Sequence, residues 1–262
     1  MKDLAGYIGR KFISFLQDLS GLAHLLLLTA AQARVVLTDR KRLAQAGILA
    51  SVNEIGTYSL TIVILLSALI GVALTVIVSF QTREIGLFNY VPGIVALAIF
   101  RLMGPLFTAL IVASRIGAGI TARLGTMKVS EEILALETMA IDPVRYLVVR
   151  RLLAMLLALP ALTVIACFTA VLGGFLFGTA RHGIRADTYL RGTLDVLEIT
   201  DIYSGVVKSL VYAVVIVTIS SYRGLVVEGS AEDVGRATMV TVVWCTLSII
   251  VLETVMTVAF YG

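Results

Sequence analysis

The chain has 262 residues, 59% of them apolar and only 15% charged, with a formal net charge of +4 and a mean hydropathy of +0.99. Soluble domains run near ~45–50% apolar and ~25% charged, so this balance excludes disorder, collagen, coiled coil and most soluble enzymes, and the apolar excess has to face lipid. The basic residues flank apolar segments, as orientation in a membrane requires, and do not point to nucleic acid.

Residues 1–50 read as an amphipathic N-terminal segment. Their apolar part, 12–37, is broken by Gln17, Asp18, His24, Gln32 and Arg34. A basic start (Lys2, Arg10, Lys11), the run Leu25-Leu26-Leu27-Leu28 and the small-residue site Ala31-Gln32-Ala33 also fit a cleaved signal peptide. The basic cluster Arg34, Arg40, Lys41 and Arg42 favours the other reading, a helix lying in the cytoplasmic interface.

Residues 51–262 then form one membrane domain. A spanning helix needs ~20 predominantly apolar residues, and five stretches qualify: 55–82, 85–124, 152–180, about 202–222 and 237–262. Segments 1–54, 123–151 and 223–236 hold fourteen Lys and Arg, against four in 81–90 and 181–201. That bias places the N-terminus in the cytoplasm and the C-terminus outside. The expected fold is an all-α, multi-pass membrane protein with five transmembrane helices, an N-terminal interfacial helix and a short helix between spans two and three.

That short helix is the most informative element. Gly125 is expected to end the second span. Ser130 can cap a new helix with Glu131 and Glu132 in its first turn, where acidic charge complements the helix dipole. Ile133, Leu136 and Ala140 share one face, and Asp142-Pro143 stops the element and opens the third span, with Asp142 as its N-cap. The product is either a solvated connector or a docking element for a cytoplasmic partner.

Four charges fall inside spans: Arg101, Arg115, Lys208 and Glu253. Each costs ~2.5–3.5 kcal/mol on insertion scales, so each should face protein, water or headgroups. Two readings stand for Arg101 and Lys208: a lipid phosphate, or an internal pair such as Lys208 with Glu253. Arg115 is placed to snorkel. Small residues four apart (Ala113 and Gly117, Ala118 and Ala122, Gly174 and Gly178) let helix backbones approach in lipid, within the chain or across a dimer seam. A stripe along the first span, including Leu66, Ile70, Leu74, Ile77 and Val78, is by itself plain lipid-facing or core surface.

Several patterns do not carry chemistry. Residues 117–122 fit G-x-G-x-x-A, with Glu137 twenty residues beyond Gly117, but lack the strand that a dinucleotide site requires. No Walker-type G-x-x-x-x-G-K-[ST] and no G-x-S-x-G elbow occurs. His24 and His182 are isolated. Cys167 and Cys245, both in apolar runs, argue against a disulfide framework or a zinc site. Neither a metal nor a cofactor is expected in this chain.

One stretch carries a family resemblance. Gly104-Pro105-Leu106-Phe107-Thr108-Ala109-Leu110, then residues 113–119 (ASRIGAG), 124–132 (LGTMKVSEE) and 135–143 (ALETMAIDP), resemble in order and spacing the MlaE-type permeases. Those are membrane subunits of ABC transporters that work with MCE-domain proteins in lipid trafficking. Weaker similarity extends over about residues 50–262, including Lys208-Ser209 and Gly235-Arg236-Ala237-Thr238. The resemblance implies a homodimer in a bacterial inner membrane, with phospholipid in an apolar cavity lined largely by the first span, hence Leu66, Ile70, Leu74, Ile77 and Val78. It implies a coupling helix seated in a groove of a separate ATPase that holds ATP and magnesium, with Glu131, Glu132, Leu136 and Glu137 at the groove and Asp142-Pro143 closing the element. An MCE protein on the outer face, and in some assemblies a STAS-domain protein, would complete the partners. Three positions depart from the family pattern: Leu102 replaces a common acid, Arg123 stands where an acid is usual, and Glu132 where Gln is usual. The loss at Leu102 leaves Arg101 in need of another partner. The competing readings are a membrane enzyme acting on lipids and a structural anchor for a peripheral complex.

Overall fold

The computed structural model describes residues 2–38, 47–84, 86 and 88–262, and among these every regular element is helical. In chain order they are α1 (Lys2–Thr38), α2 (Ile48–Glu84), α3 (Val91–Val129), α4 (Glu132–Thr138), α5 (Val144–Arg181), α6 (Ala186–Leu194), α7 (Ile199–Leu225) and α8 (Ala231–Tyr261). Five of them, α2, α3, α5, α7 and α8, are long and apolar enough to cross a membrane.

The helix ends follow local chemistry that differs from the boundaries expected above. α2 begins seven residues earlier, at Ile48, because Glu54 lies inside the helix paired with Arg123 and does not terminate it. Pro92 sits in the first turn of α3, where its missing amide hydrogen costs nothing. α3 runs through Gly125 to Val129: the glycine is buried against Val227 and Val234 and serves close packing, not termination. α7 and α8 each open on a capping box, Glu198 with Asp201 and Ser230 with Asp233. Of the N-terminal basic cluster, Arg40, Lys41 and Arg42 lie outside the described residues.

α7 is the most enclosed of the spans; α2 and α8 are the most open. One apolar cluster joins α3, α5, α7 and α8 through Val112, Leu124, Met155, Leu159, Ile216 and Ile249. A second, toward the other end of the bundle, joins Val95 and Ile99 of α3 to Cys167 and Ala170 of α5 and to Tyr189 of α6. Lipid offers no hydrophobic drive between helices, so close backbone approach has to supply the attraction. Gly71 of α2 and Gly173 of α5 supply it: a Cβ at Gly71 would collide with the carbonyl of Ala170, and one at Gly173 with the carbonyl of Ala68. Thr75, Thr108 and Thr163 satisfy their hydroxyls on the carbonyl four residues earlier, at 2.7–2.9 Å.

α1 lies against the start of α5 and the end of α7. Asp18 accepts from Arg223 (3.0 Å) and Tyr222 (3.3 Å), and Gln32 donates to Asp142. Leu25, Thr29 and Ala33 are buried there, while Leu16, Leu19 and Leu27 remain exposed.

Candidate functional site

The loop between α3 and α5 is held at both ends by backbone geometry. Glu131 (φ 60°) and Ala140 (φ 59°) are both left-handed, and neither is glycine. Ser130, expected to cap α4, is not its N-cap; Glu131 holds that position. Ser130 closes α3, its one hydroxyl proton shared between the Thr126 carbonyl (2.9 Å) and Glu132 (3.1 Å), because the left-handed Glu131 has already turned the chain. At the other end the Ile141 amide donates to Leu136 (3.0 Å) and the Ala140 amide to Glu137 (2.9 Å), a Schellman closure. A non-glycine residue in that conformation costs ~1–2 kcal/mol. Ala140→Gly is therefore expected to raise the unfolding free energy by ~1 kcal/mol, read as a higher midpoint in thermal melts of the purified protein.

What this geometry presents is a short lever. Ile133 is buried and Leu136 half-buried against the main cluster, so they anchor it. Ala140, expected on the same face, is exposed in the closing turn, since the helix stops at Thr138. Glu131, Glu132 and Glu137 are exposed. So are Leu134 and Met139, two apolar residues that the sequence reading passed over; the signal that could have found them is their position opposite the anchoring face. Asp142 accepts from the amides of Val144 (2.9 Å) and Arg145 (3.3 Å), capping α5 as expected.

Three of the four charges expected inside spans, Arg101, Lys208 and Glu253, fall into two linked pairs. Lys208, fully buried, uses all three ammonium protons: to Glu253 (2.6 Å), Thr257 (2.8 Å) and the carbonyl of Arg101 (2.7 Å). That carbonyl is available because Pro105, four residues on, has no amide hydrogen to give it. The other oxygen of Glu253 accepts from Tyr212. This is the internal pairing left open above.

Arg101 pairs with Asp201, Nε to Oδ1 at 2.7 Å, and stacks on the Tyr261 ring at 4.6 Å. Tyr261 also donates to Asp201 (3.1 Å) and shares a hydrogen bond with Ser204 (2.6 Å). Asp201 is the partner that Arg101 lacked, and sequence reasoning missed it because it stood in the loop before the fourth span. Its signal was the spacing from Glu198 that makes a capping box.

Arg101 and Arg115 each sit in a π-helical turn, Ile99–Met103 and Ala113–Gly117. Such turns insert a residue into the helix and re-aim the side chains around it. The stripe on α2 does not form one surface. Leu66 and Ile77 are exposed and Ile70 is half-buried, whereas Leu74 and Val78 pack inward on the second cluster. α6, which had no counterpart in the sequence reading, places Tyr189 in that cluster, edge-on to Phe175 at 5.4 Å. Burial pushes its phenol above the ordinary value.

Five apolar helices, ion pairs satisfied inside the bundle and one protruding acidic lever define the class: among the described residues, a helical, multi-pass membrane protein. The family model described as Permease MlaE matches residues 48–259, and the chain belongs to that family. It is 31% identical to a "Probable ABC transporter permease protein" of Rickettsia felis over 99% of this chain and 98% of that one. A protein of the same description in Rickettsia typhi is 39% identical, with 62% of this chain and 63% of that protein aligned. The "Intermembrane phospholipid transport system permease protein MlaE" of Haemophilus influenzae is 29% identical, with 80% and 81% aligned.

Proposed function

We propose that this chain is the permease of an ABC transporter that moves phospholipid between a bacterial inner membrane and an MCE-protein conduit. The observation that carries the reading is the lever at 131–142. It is anchored by Ile133, bracketed by two left-handed residues and exposes three carboxylates beside Leu134 and Met139. Apolar knobs ringed by acid suit a groove on a soluble partner. That partner is a separate ATPase, which holds the nucleotide and magnesium; this chain holds neither. Nucleotide-driven closure of two ATPases would push α4 and rock α3 and α5, which it joins.

The surplus of Lys and Arg in 1–54, 123–151 and 223–236 supports an N-terminus and lever in the cytoplasm and a C-terminus on the opposite side. α1 then lies in the cytoplasmic interface ahead of the five-span domain, with its exposed leucines toward lipid. Two copies pair, and the open side of α2, with Leu66 and Ile77, faces the lipid path between them.

The test is the triple variant Glu131→Lys, Glu132→Lys and Glu137→Lys. Membrane insertion should be intact and co-purification of the ATPase lost by at least about tenfold, since like charge across an interface costs several kcal/mol. Normal co-purification of the ATPase would count against the coupling role.

A further inference from the structure

On the face that carries α4, the first three spans part around a cavity of about 450 Å3. Arg115, Arg123, Arg150 and Arg151 line it, with Glu54 as the acid among its walls. Four guanidinium groups against one carboxylate leave an excess of three positive charges. Each guanidinium has five N–H donors, and few are used. Arg123 pairs with Glu54, Arg150 donates to Ser51 at 2.7 Å, and Arg151 reaches the Leu147 carbonyl at a long 3.4 Å. Arg115 makes no ion pair among the described residues. Gathering like charges in one recess is unfavourable unless an anion shares it.

Apart from the hydroxyls of Ser51 and Tyr146, the rest of the wall is apolar: Ile55, Ile116, Ile120 and Leu147. Gly119 also lines the cavity, midway between Arg115 and Arg123 on one face of α3, where a Cβ would meet nothing within 4 Å. Basic groups over an apolar wall, at the end of spanning helices, match an amphiphile better than a free solute. We propose that this cavity binds the anionic phosphate headgroup of a membrane phospholipid, its arginines on the phosphate and its apolar wall along the first acyl carbons. Fourteen residues of α3, about 20 Å of helix, separate Arg115 from Arg101. The site is therefore apart from the Arg101–Asp201 network and goes beyond the transport reading.

The test uses the full chain in uncharged detergent. The probes are phosphatidylglycerol with a photoreactive group beside its headgroup, diacylglycerol with the same group, and glycerol 3-phosphate as a soluble competitor. Phosphatidylglycerol is expected to label peptides 115–123 and 146–151; diacylglycerol is not. Arg115→Gln should weaken that labelling about tenfold, the worth of one charge-assisted hydrogen bond. Gly119→Leu should block it without removing a charge. Among the described residues Arg115 has no ion pair to lose, so Arg115→Gln should keep the parent melting midpoint; Gly119 faces open space within a helix, so Gly119→Leu should match or exceed it. Labelling unchanged in both variants, or equal labelling by diacylglycerol, overturns the proposal. Displacement by glycerol 3-phosphate at the lipid's own concentration overturns the membrane source in favour of a soluble phosphate ester. ATPase co-purification, measured in parallel, should be unchanged in both variants; its absence from the parent chain too would sink the transport reading and leave the headgroup site standing.

Discussion

Gly71→Val is expected to keep α2 from closing on α5 and to abolish accumulation of folded protein. The obstacle to any side chain at this position is the backbone carbonyl of Ala170, which no rotamer change can move aside. The reciprocal contact of Gly173 with Ala68 means that the two helices touch backbone to backbone on both sides of the crossing. Overpacking an ordinary core costs ~1–3 kcal/mol, and here whole helices would have to separate, so the loss should exceed that range. Gly71→Ala gives the sharper comparison. In a helix interior, Gly→Ala normally stabilises by ~0.5–1 kcal/mol. Gly56, in the same helix, has nothing within 4 Å of a Cβ. Gly56→Ala should therefore raise the thermal midpoint while Gly71→Ala lowers it. Equal effects from the two alanines would show that the close approach of α2 and α5 does not hold the bundle.

Lys208→Met carries the second large effect. It strips Glu253 of its cation and leaves the Arg101 carbonyl without the donor that replaces the missing Pro105 amide. Removing one partner of a buried ion pair costs ~3–5 kcal/mol, because the remaining charge stays buried and uncompensated. The double variant Lys208→Met and Glu253→Leu should recover most of that stability, since an apolar replacement of both partners is often close to neutral. Thermal melts of the parent, the two single variants and the double complete a cycle that isolates the coupling. If the double variant melts like Lys208→Met alone, the carbonyl of Arg101 and the hydroxyl of Thr257, not Glu253, are what Lys208 chiefly satisfies.

These residues also mark how far the sequence could be read. Lys208 and Glu253 could be matched before any fold was known, because two opposite charges inside spans have few other places to go. Asp142-Pro143 was legible for a similar reason: an N-cap acid ahead of a first-turn proline is chemistry confined to a few adjacent residues. Arg101 with Asp201 was not legible. One hundred residues separate them, and the acid looked like part of a loop until α7 was seen to begin at Ile199. The lever shows both sides at once. Its acids, its buried Ile133 and its place between the second and third spans follow from pattern. Its left-handed ends at Glu131 and Ala140 do not, because neither residue type favours that conformation and only the anchored spans on either side impose it. The small-residue reading picked Gly174 and Gly178 on α5 but not Gly71, whose partner lies on a different helix.

The amino-acid order alone determined that five helices are long and apolar enough to cross a membrane, roughly where each lies, and which flanks carry positive charge. Those are properties of each segment taken singly, decided by its own transfer between water and lipid and by capping residues within a turn of its ends. Only the tertiary structure decided which charges meet: Arg101 with Asp201, Arg123 with Glu54, and four arginines around one cavity. Such meetings depend on how far each helix is rotated about its axis. That rotation is set jointly by glycine contacts between α2 and α5 and by two π-helical turns in α3, none of which a periodic pattern within one segment encodes.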